Sequence, residues 1–411
     1  MTVRTRPPRP IQAAGVSESA EHPGISATFI RLGHVVAQQS RAYIVLLGTT
    51  LFLVLFGLVM VLSSSLVQSR LEGGGLVGTA TRQSLFALLG VPLMLLASRV
   101  PEKLWRACAW PAMIGSCVLQ MIVVATPLGV AVGGNKNWLS LGAVSVQPSE
   151  LIKLSLVLWL GLFVSKKQDV INTLWKGMVP ILLVGGGALG LVMLGDDLGT
   201  AVIIAGMLFG ALFLTGMRLR LLTPVVLGVA AVSLLFAFAS PNRTKRLTAF
   251  FQDSCSQYDL NNCWQIQHGT FALAHGGLFG VGLGNSTAKW SWLPAADNDF
   301  IFAVVGEELG LLGALVIIGC FVLLAFSFTW SLRVARTPFA RVLTAGIMFW
   351  VIFQACVNIA VVLGLLPVLG VPLPLVSAGG TALLTTLLGI GMVLSVTRAV
   401  PERSSPRGFA S

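Results

Sequence analysis

Windows of roughly 20 apolar residues, the length that crosses ~30 Å of hydrocarbon as an α-helix, recur along almost the whole chain. No other feature constrains the fold as strongly, because backbone groups inside a bilayer find no water and must be satisfied within the structure itself. Ten spans follow, at 43–66, 81–99, 107–127, 148–165, 177–194, 198–217, 221–239, 299–331, 340–364 and 375–397. The predicted fold is an all-α integral membrane protein, a polytopic bundle of about ten transmembrane helices over residues 43–398. Charge usage agrees, at 10% of residues against about 25% in soluble domains.

An even number of spans puts both termini on one side, and Lys and Arg are retained on the cytoplasmic face of short loops. With the N-terminus inside, nineteen of the 27 basic residues fall inside and seven outside, with Lys153 in a span. Topology therefore accounts for most of the net charge of +12, and nucleic acid is not an expected partner. Residues 1–42 are polar and rich in Pro, Ser and Arg, which predicts a disordered cytoplasmic tail, with 399–411 as a second cytoplasmic tail. The first apolar run is too long for a signal-peptide core and lacks a convincing small-residue cleavage site. Cys108, Cys117, Cys320 and Cys356 lie in or beside spans as expected packing residues. Cys255 and Cys263 lie in an outer loop, where a disulfide and an unpaired surface role are both open.

Two outward segments interrupt the bundle, Gly133–Lys153 and a long loop at about 240–298. Such a loop is usually functional or disordered. This one carries Trp264, Phe271, Leu278, Phe279, Trp290 and Trp292 among glycines, as a segment at headgroup level would. Acids are scarce, 15 in 411 residues, yet four fall in LPAADNDFIFAVVGEELGLLG at 293–313. Pro294 and Asn298 mark a helix start there, with Asn298 a candidate N-cap and Asp299 in the first turn. Glu307 and Glu308 would lie ~12–14 Å deeper at ~1.5 Å per residue. Ionisable groups at such depth cost ~2.5 kcal/mol or more and normally face a cavity or a partner.

Three further segments offer partners. QPSELIK places Gln147, Ser149, Glu150 and Lys153 at the start of the fourth span, with Glu150 and Lys153 three apart on one face and able to pair. LGDDLGT supplies Asp196, Asp197, Gly199 and Thr200, a short outer connection whose acids can be exposed turn residues capping the sixth span, the reading that suits Asp196 first. LPVLGVPLPLVSAGGT, residues 366–381, has three prolines and a Ser377-Ala378-Gly379-Gly380 run suited to irregular backbone lining a cavity.

Taken in order, GNKNW, QPSELIK, DLGT, WQIQ with ALAHGGLFGVGLGNSTAKWSWLP, NDFIFAVVGEELG and PVLGVPLPLVSAGGT resemble the SEDS family of membrane glycosyltransferases, which includes FtsW and RodA. GLGNS and GEELG stand closer to the FtsW branch. The resemblance implies polymerisation of lipid II, the undecaprenyl-diphosphate-linked disaccharide-pentapeptide, at the outer face of the cytoplasmic membrane. It also implies a class B penicillin-binding protein as partner, other divisome membrane proteins, and a place at the division septum. Carried over, the essential acid falls on Asp299 and the motif residues on Glu150, Lys153 and Asp197. Substrate contacts are expected from Lys136, Trp138, Gln147, Ser149, Thr200, Gln265, Gln267, Lys289, Glu307, Ser377, Gly379 and Gly380. The chain departs from the family pattern at Asn137, Asp196, His268, Ala295, Asp297, Ala378 and Thr381.

A sugar hydroxyl is a weak nucleophile and needs a base within ~3 Å as the bond forms. Asp299 is the expected base, with His275 as the alternative. The leaving diphosphate calls for cations, Lys136, Lys153 and Lys289, with a divalent Mg or Mn ion as a further expectation. Two other classes compete. A lipid flippase would rely on the deep Glu150, Lys153, Glu307 and Glu308, and an idle divisome scaffold would tolerate loss of Asp299.

Overall fold

The computed structural model describes residues 40–71, 78–132, 135–140, 145–239, 260–289, 293 and 296–398. Residues 1–39 of the predicted N-terminal tail, the C-terminal tail from 399, residues 240–259, 290–292 and 294–295 of the loop with Cys255, Trp290, Trp292, Pro294 and Ala295, and the Cys263 side chain lie outside the described residues. Arg41 and Ala42 of the predicted tail already belong to the first helix. The helices are α1 (Arg41–Leu71), α2 (Gly78–Ala97), α3 (Glu102–Ala125), α4 (Pro148–Lys166), α5 (Val179–Leu194), α6 (Leu198–Leu214) and α7 (Leu219–Ala239). They continue with α8 (Leu260–Gly276), α9 (Ile301–Val334), α10 (Pro338–Val362) and α11 (Gly380–Thr397). Eight are long and apolar enough to cross a membrane, α5 together with the π-turn Leu174–Met178 before it. The apolar parts of α6 and α7, Leu198–Leu214 and Leu219–Leu235, are shorter. These ten cover the predicted spans, and the chain is a multi-pass membrane protein.

Sequence chemistry explains where the elements begin. Pro148 opens α4 and Pro338 opens α10, at the position where a missing N–H costs nothing. Thr337 caps α10 by accepting the Ala340 N–H at 3.1 Å. The apolar window of α4 is 83% buried against 28% for α3, so α4 is the central helix and α3 faces lipid. Around α4 pack α3 and α10, while α1 packs on α9, α2 on α11, and α6 on α10.

Four features differ from the sequence expectation. The outward segment before α4 is a small antiparallel sheet, β1 (Gly129–Val132), β2 (Asn135–Ser140) and β3 (Ser145–Val146), in the order β1-β2-β3. Part of the long loop is helical, α8, and packs on α9. The tenth span starts at Gly380, so residues 375–379 are irregular. Lastly, α9 begins at Ile301 with Phe300 at its N-cap, so Asn298 is not the cap and Asp299 sits in the turn before the helix. The carbonyls of Asp297, Asn298 and Asp299 explain this shift, because each is bound by another element and so is withdrawn from the helix.

Gly310 breaks α9 with φ 68° and ψ −165°. The segment after α8 fills the break. Val281 and Gly282 donate to the carbonyls of Glu307 and Glu308, each at 3.0 Å. The amides of Leu311 and Leu312 donate to Gly277 and Leu278 at 2.9 and 3.3 Å. These four groups at the kink thus find protein partners, as a break at membrane depth requires.

Candidate active site

The first turn of α4 delivers Glu150 and Lys153 to one face, and they form an ion pair at 2.7 Å with side chains 3% and 1% exposed. Removing one partner from so buried a pair would leave an uncompensated charge. Thr385 of α11 donates to the second Glu150 oxygen at 3.2 Å. Lys153 Nζ also donates to Gln354 Oε1 at 3.0 Å and lies 4.8 Å from the centre of the Trp350 ring. The ammonium is therefore held from three sides.

Asp197, rather than Asp196, caps α6, accepting the Thr200 N–H at 2.9 Å. Its other oxygen accepts from Gln147 Nε2 at 3.1 Å, which ties α6 to the start of α4. Burial pushes the Asp197 carboxyl above the usual carboxylate range, against the opposing pull of the Thr200 hydrogen bonds and the Lys153 charge. Asp196 is exposed and takes a positive φ of 63°, so it turns the chain there.

Asp299 is placed by backbone contacts on both sides. Ala378 N donates to Asp297 O at 2.9 Å, and Ser377 Oγ donates to Asn298 O at 2.7 Å. Asn358 Nδ2 donates to Asp299 O at 2.7 Å and to Val371 O at 2.8 Å. The proline-rich loop between α10 and α11, with Asn358, thus grips all three residues leading into α9. A methyl group on Gly370, which has φ +69°, would stand 3.8 Å from Asp299 Oδ2, so this loop forms the wall beside the carboxylate.

These elements enclose a cavity of about 300 Å³. Among the residues expected from the sequence, it is lined by Trp138, Gln147, Glu150, Lys153, Asp197, Thr200, Gln265, Asp299 and Gly379. Segments separated by more than 200 residues therefore meet in one chamber, and among the described residues Lys153 is its only basic lining residue.

Other expected contacts lie elsewhere. Lys136 Nζ donates to Val124 O at 3.1 Å, anchoring β2 to α3. Ser149 is buried in α4, and Gln267, half-buried on α8, is not among the residues lining the cavity. Ser377 braces backbone, and Gly380 packs so tightly on Phe86 that a methyl group would come within 2.2 Å of the ring. Lys289 and Glu307 belong to a second polar cluster around the kink. Glu307 accepts from Thr287 N and Oγ1 at 2.9 and 2.7 Å, from Ala288 N at 3.2 Å and from Ser286 Oγ, and it meets His275 Nδ1 at 2.9 Å. Glu308 accepts from Ser63 Oγ at 2.7 and 2.8 Å and pairs with Lys289 at 3.1 Å. Both glutamates, fully buried, are used to fasten residues 281–289 to α9 and α1.

Sequence reasoning passed over Gln354 and Asn358, which reach the carbonyls of Pro372, Val371 and Asp299. A signal was present, since both are amides four residues apart inside an otherwise apolar span. It also passed over Asn135, which lines the cavity from β2. As for a metal, no group of three or more His, Cys, Asp or Glu converges among the described residues. Three carboxylates line the cavity, Glu150, Asp197 and Asp299, of which Glu150 is engaged by Lys153 and Thr385, and Asp197 by Thr200 and Gln147.

Comparison with known proteins places this geometry in context. Residues 43–402 match the family FTSW_RODA_SPOVE, described as "Cell cycle protein". A probable peptidoglycan glycosyltransferase FtsW from Coxiella burnetii is 37% identical over 350 residues, covering 84% of this chain and 94% of that one. Stage V sporulation protein E from Bacillus subtilis is 34% identical over 371 residues, covering 89% and 99%. Among solved structures, one described as "Structural coordination of polymerization and crosslinking by a peptidoglycan synthase complex" superposes with a TM-score of 0.69 at 26% identity, covering 86% of this chain and 96% of that one.

Proposed function

Because the chain belongs to the FtsW/RodA/SpoVE cell cycle protein family, we propose that it is a peptidoglycan glycosyltransferase that polymerises lipid II at the outer face of the cytoplasmic membrane. The observation that carries this reading is one cavity lined by both Asp299 and Lys153. In the reaction, the sugar hydroxyl of one lipid-linked precursor attacks the anomeric carbon of another. Polyprenyl diphosphate leaves from the opposite face.

Asp299 takes the hydroxyl proton as the new glycosidic bond forms. Partly exposed and beside the loop wall at Gly370, it stands where a carboxylate can reach an entering hydroxyl. Lys153 meets the negative charge that develops on the leaving diphosphate, inside a walled site where such an interaction is stronger than in water. Lys136 and Lys289 are engaged by other protein groups, Val124 O and Glu308. A single displacement inverts the anomeric centre, so no carboxylate nucleophile is needed, unlike in retaining glycosidases.

On this proposal both termini lie in the cytoplasm, as the distribution of basic residues favours, and the enzyme works at the division septum with other divisome membrane proteins. A class B penicillin-binding protein is proposed as the partner that crosslinks the glycan. Of the four deep groups a flippase would use, Glu150 and Lys153 line the cavity, whereas Glu307 and Glu308 are engaged by protein partners away from it.

The test is lipid II polymerisation by purified protein with its crosslinking partner, comparing wild type with Asp299→Asn. Wild type should yield glycan ladders, and the variant should lose at least ~100-fold in rate, the scale of one positioned general base, with folding and partner binding intact. Equal ladders from both would overturn the assignment of Asp299. No product from either, in a verified complex, would favour a scaffold.

A further inference from the structure

The helix α10 carries Trp350, Gln354 and Asn358 at successive four-residue steps, so they form one stripe along a single face. All three are buried, at 0%, 2% and 2% exposure. Gln354 uses one oxygen for two donors, Lys153 Nζ and Trp350 Nε1, each at 3.0 Å. Its nitrogen donates to Pro372 O at 2.9 Å. One turn further, Asn358 spends its nitrogen on Asp299 O and Val371 O. Two neutral amides on one rigid helix thus hold the cavity's cation, the backbone of its acid, and the loop between them.

We infer that Gln354 and Asn358 are positioning residues: Gln354 fixes the Lys153 ammonium and Asn358 fixes the backbone of Asp299, setting cation and base in one frame. This inference rests on the roles of Lys153 and Asp299 proposed above. The physical logic lies in the choice of amide. Glu150 already neutralises Lys153, and a second carboxylate at position 354 would bind the ammonium more tightly and leave less field for a phosphate. A carbonyl oxygen orients the ammonium without adding charge. The same side chain, through its N–H, prevents the Pro372 carbonyl from being buried without a partner. An apolar residue would do neither.

Separate readouts test the two residues, using the full chain in lipid nanodiscs. For Gln354, binding of undecaprenyl diphosphate is measured in wild type, Lys153→Met, Gln354→Met and the double variant. Each single change should weaken binding roughly tenfold, the scale of a hydrogen bond to a charged group. The double variant should be no more than about twofold weaker than Lys153→Met alone, because residues acting as a unit are not additive. Wild-type binding by Gln354→Met, or losses that multiply in the double variant, would overturn the inference. Wild-type binding by Lys153→Met would instead remove the underlying assignment of the cation. Should Gln354→Met fail to fold, Gln354→Glu serves: it keeps the accepting oxygen and should still weaken binding, and unchanged binding would count against the inference. For Asn358, Asn358→Leu should lower kcat of polymerisation roughly tenfold with KM nearly unchanged, as expected for a group acting through the base. A raised KM at constant kcat would refute its role, whereas full activity in Asp299→Asn would refute the base itself.

Discussion

At the scale of single residues, Asp197 shows how one side chain can be both structural and electrostatic. It caps α6 and joins α4 through Gln147, yet it is buried in a chamber it shares with Glu150. Burial raises its folded pKa above the unfolded value, so between the two values the native state binds more protons than the unfolded chain. Its contribution to stability is then present below the unfolded pKa and lost as pH rises through the folded one. Asn caps helices about as well as Asp, so Asp197→Asn should remove this slope. In thermal unfolding across the interval just above the ordinary carboxylate range, wild type should decline relative to the variant as pH rises. Parallel curves would show that Asp197 titrates normally. The sequence offered Asp196 and Asp197 as adjacent acids and favoured the first as an exposed turn residue capping the helix; it is the exposed turn residue, but the cap is Asp197. Only the turn at Asp196, with its positive φ, decides that the second faces inward.

At the scale of elements, α9 carries both the approach to Asp299 and the kink that fastens the outer loop. Gly310 adopts a backbone conformation that essentially only glycine uses, and a methyl group there would come 2.4 Å from Gly280 N and 2.5 Å from Leu278 O. Gly310→Ala should therefore cost about 1–3 kcal/mol from backbone strain alone, with further loss from the clash. Gly319, on the same helix, has open space within 4 Å of where a methyl group would stand, and Gly319→Ala should be neutral or stabilising by up to about 1 kcal/mol. Thermal midpoints of the two variants provide the check, and equal midpoints would refute the kink's role. The GEELG segment also explains a misplacement from sequence. Hydropathy reveals that Glu307 and Glu308 are deep, but not which way they point. Their partners come from residues 275–289 folding back onto the helix and from Ser63 on α1, contacts with no local signature.

At the scale of the whole molecule, the distribution of basic residues predicts that the two ends of the bundle face opposite compartments. In a chain with its native cysteines replaced, Asn285→Cys should react with a membrane-impermeant maleimide on intact cells and Asp169→Cys should not, both positions being exposed. The reverse pattern would invert the topology and move the cavity to the cytoplasm. The sequence by itself determined the membrane class, the spans and the four motif segments, because bilayer insertion is a local property: each window of about 20 residues meets the hydrocarbon on its own. It also determined that Glu150 and Lys153 would be able to pair, since three residues along a helix is a fixed distance. Only the tertiary structure decided which ionisable groups share the chamber and which serve the scaffold. Lys153 was drawn in by α10, while Lys289 was withdrawn by Glu308 and Ser63. The reason is the cost of burying charge: an ion inside the bundle must be met by a partner, and those partners come from helices that are distant in sequence and adjacent only once the bundle has packed.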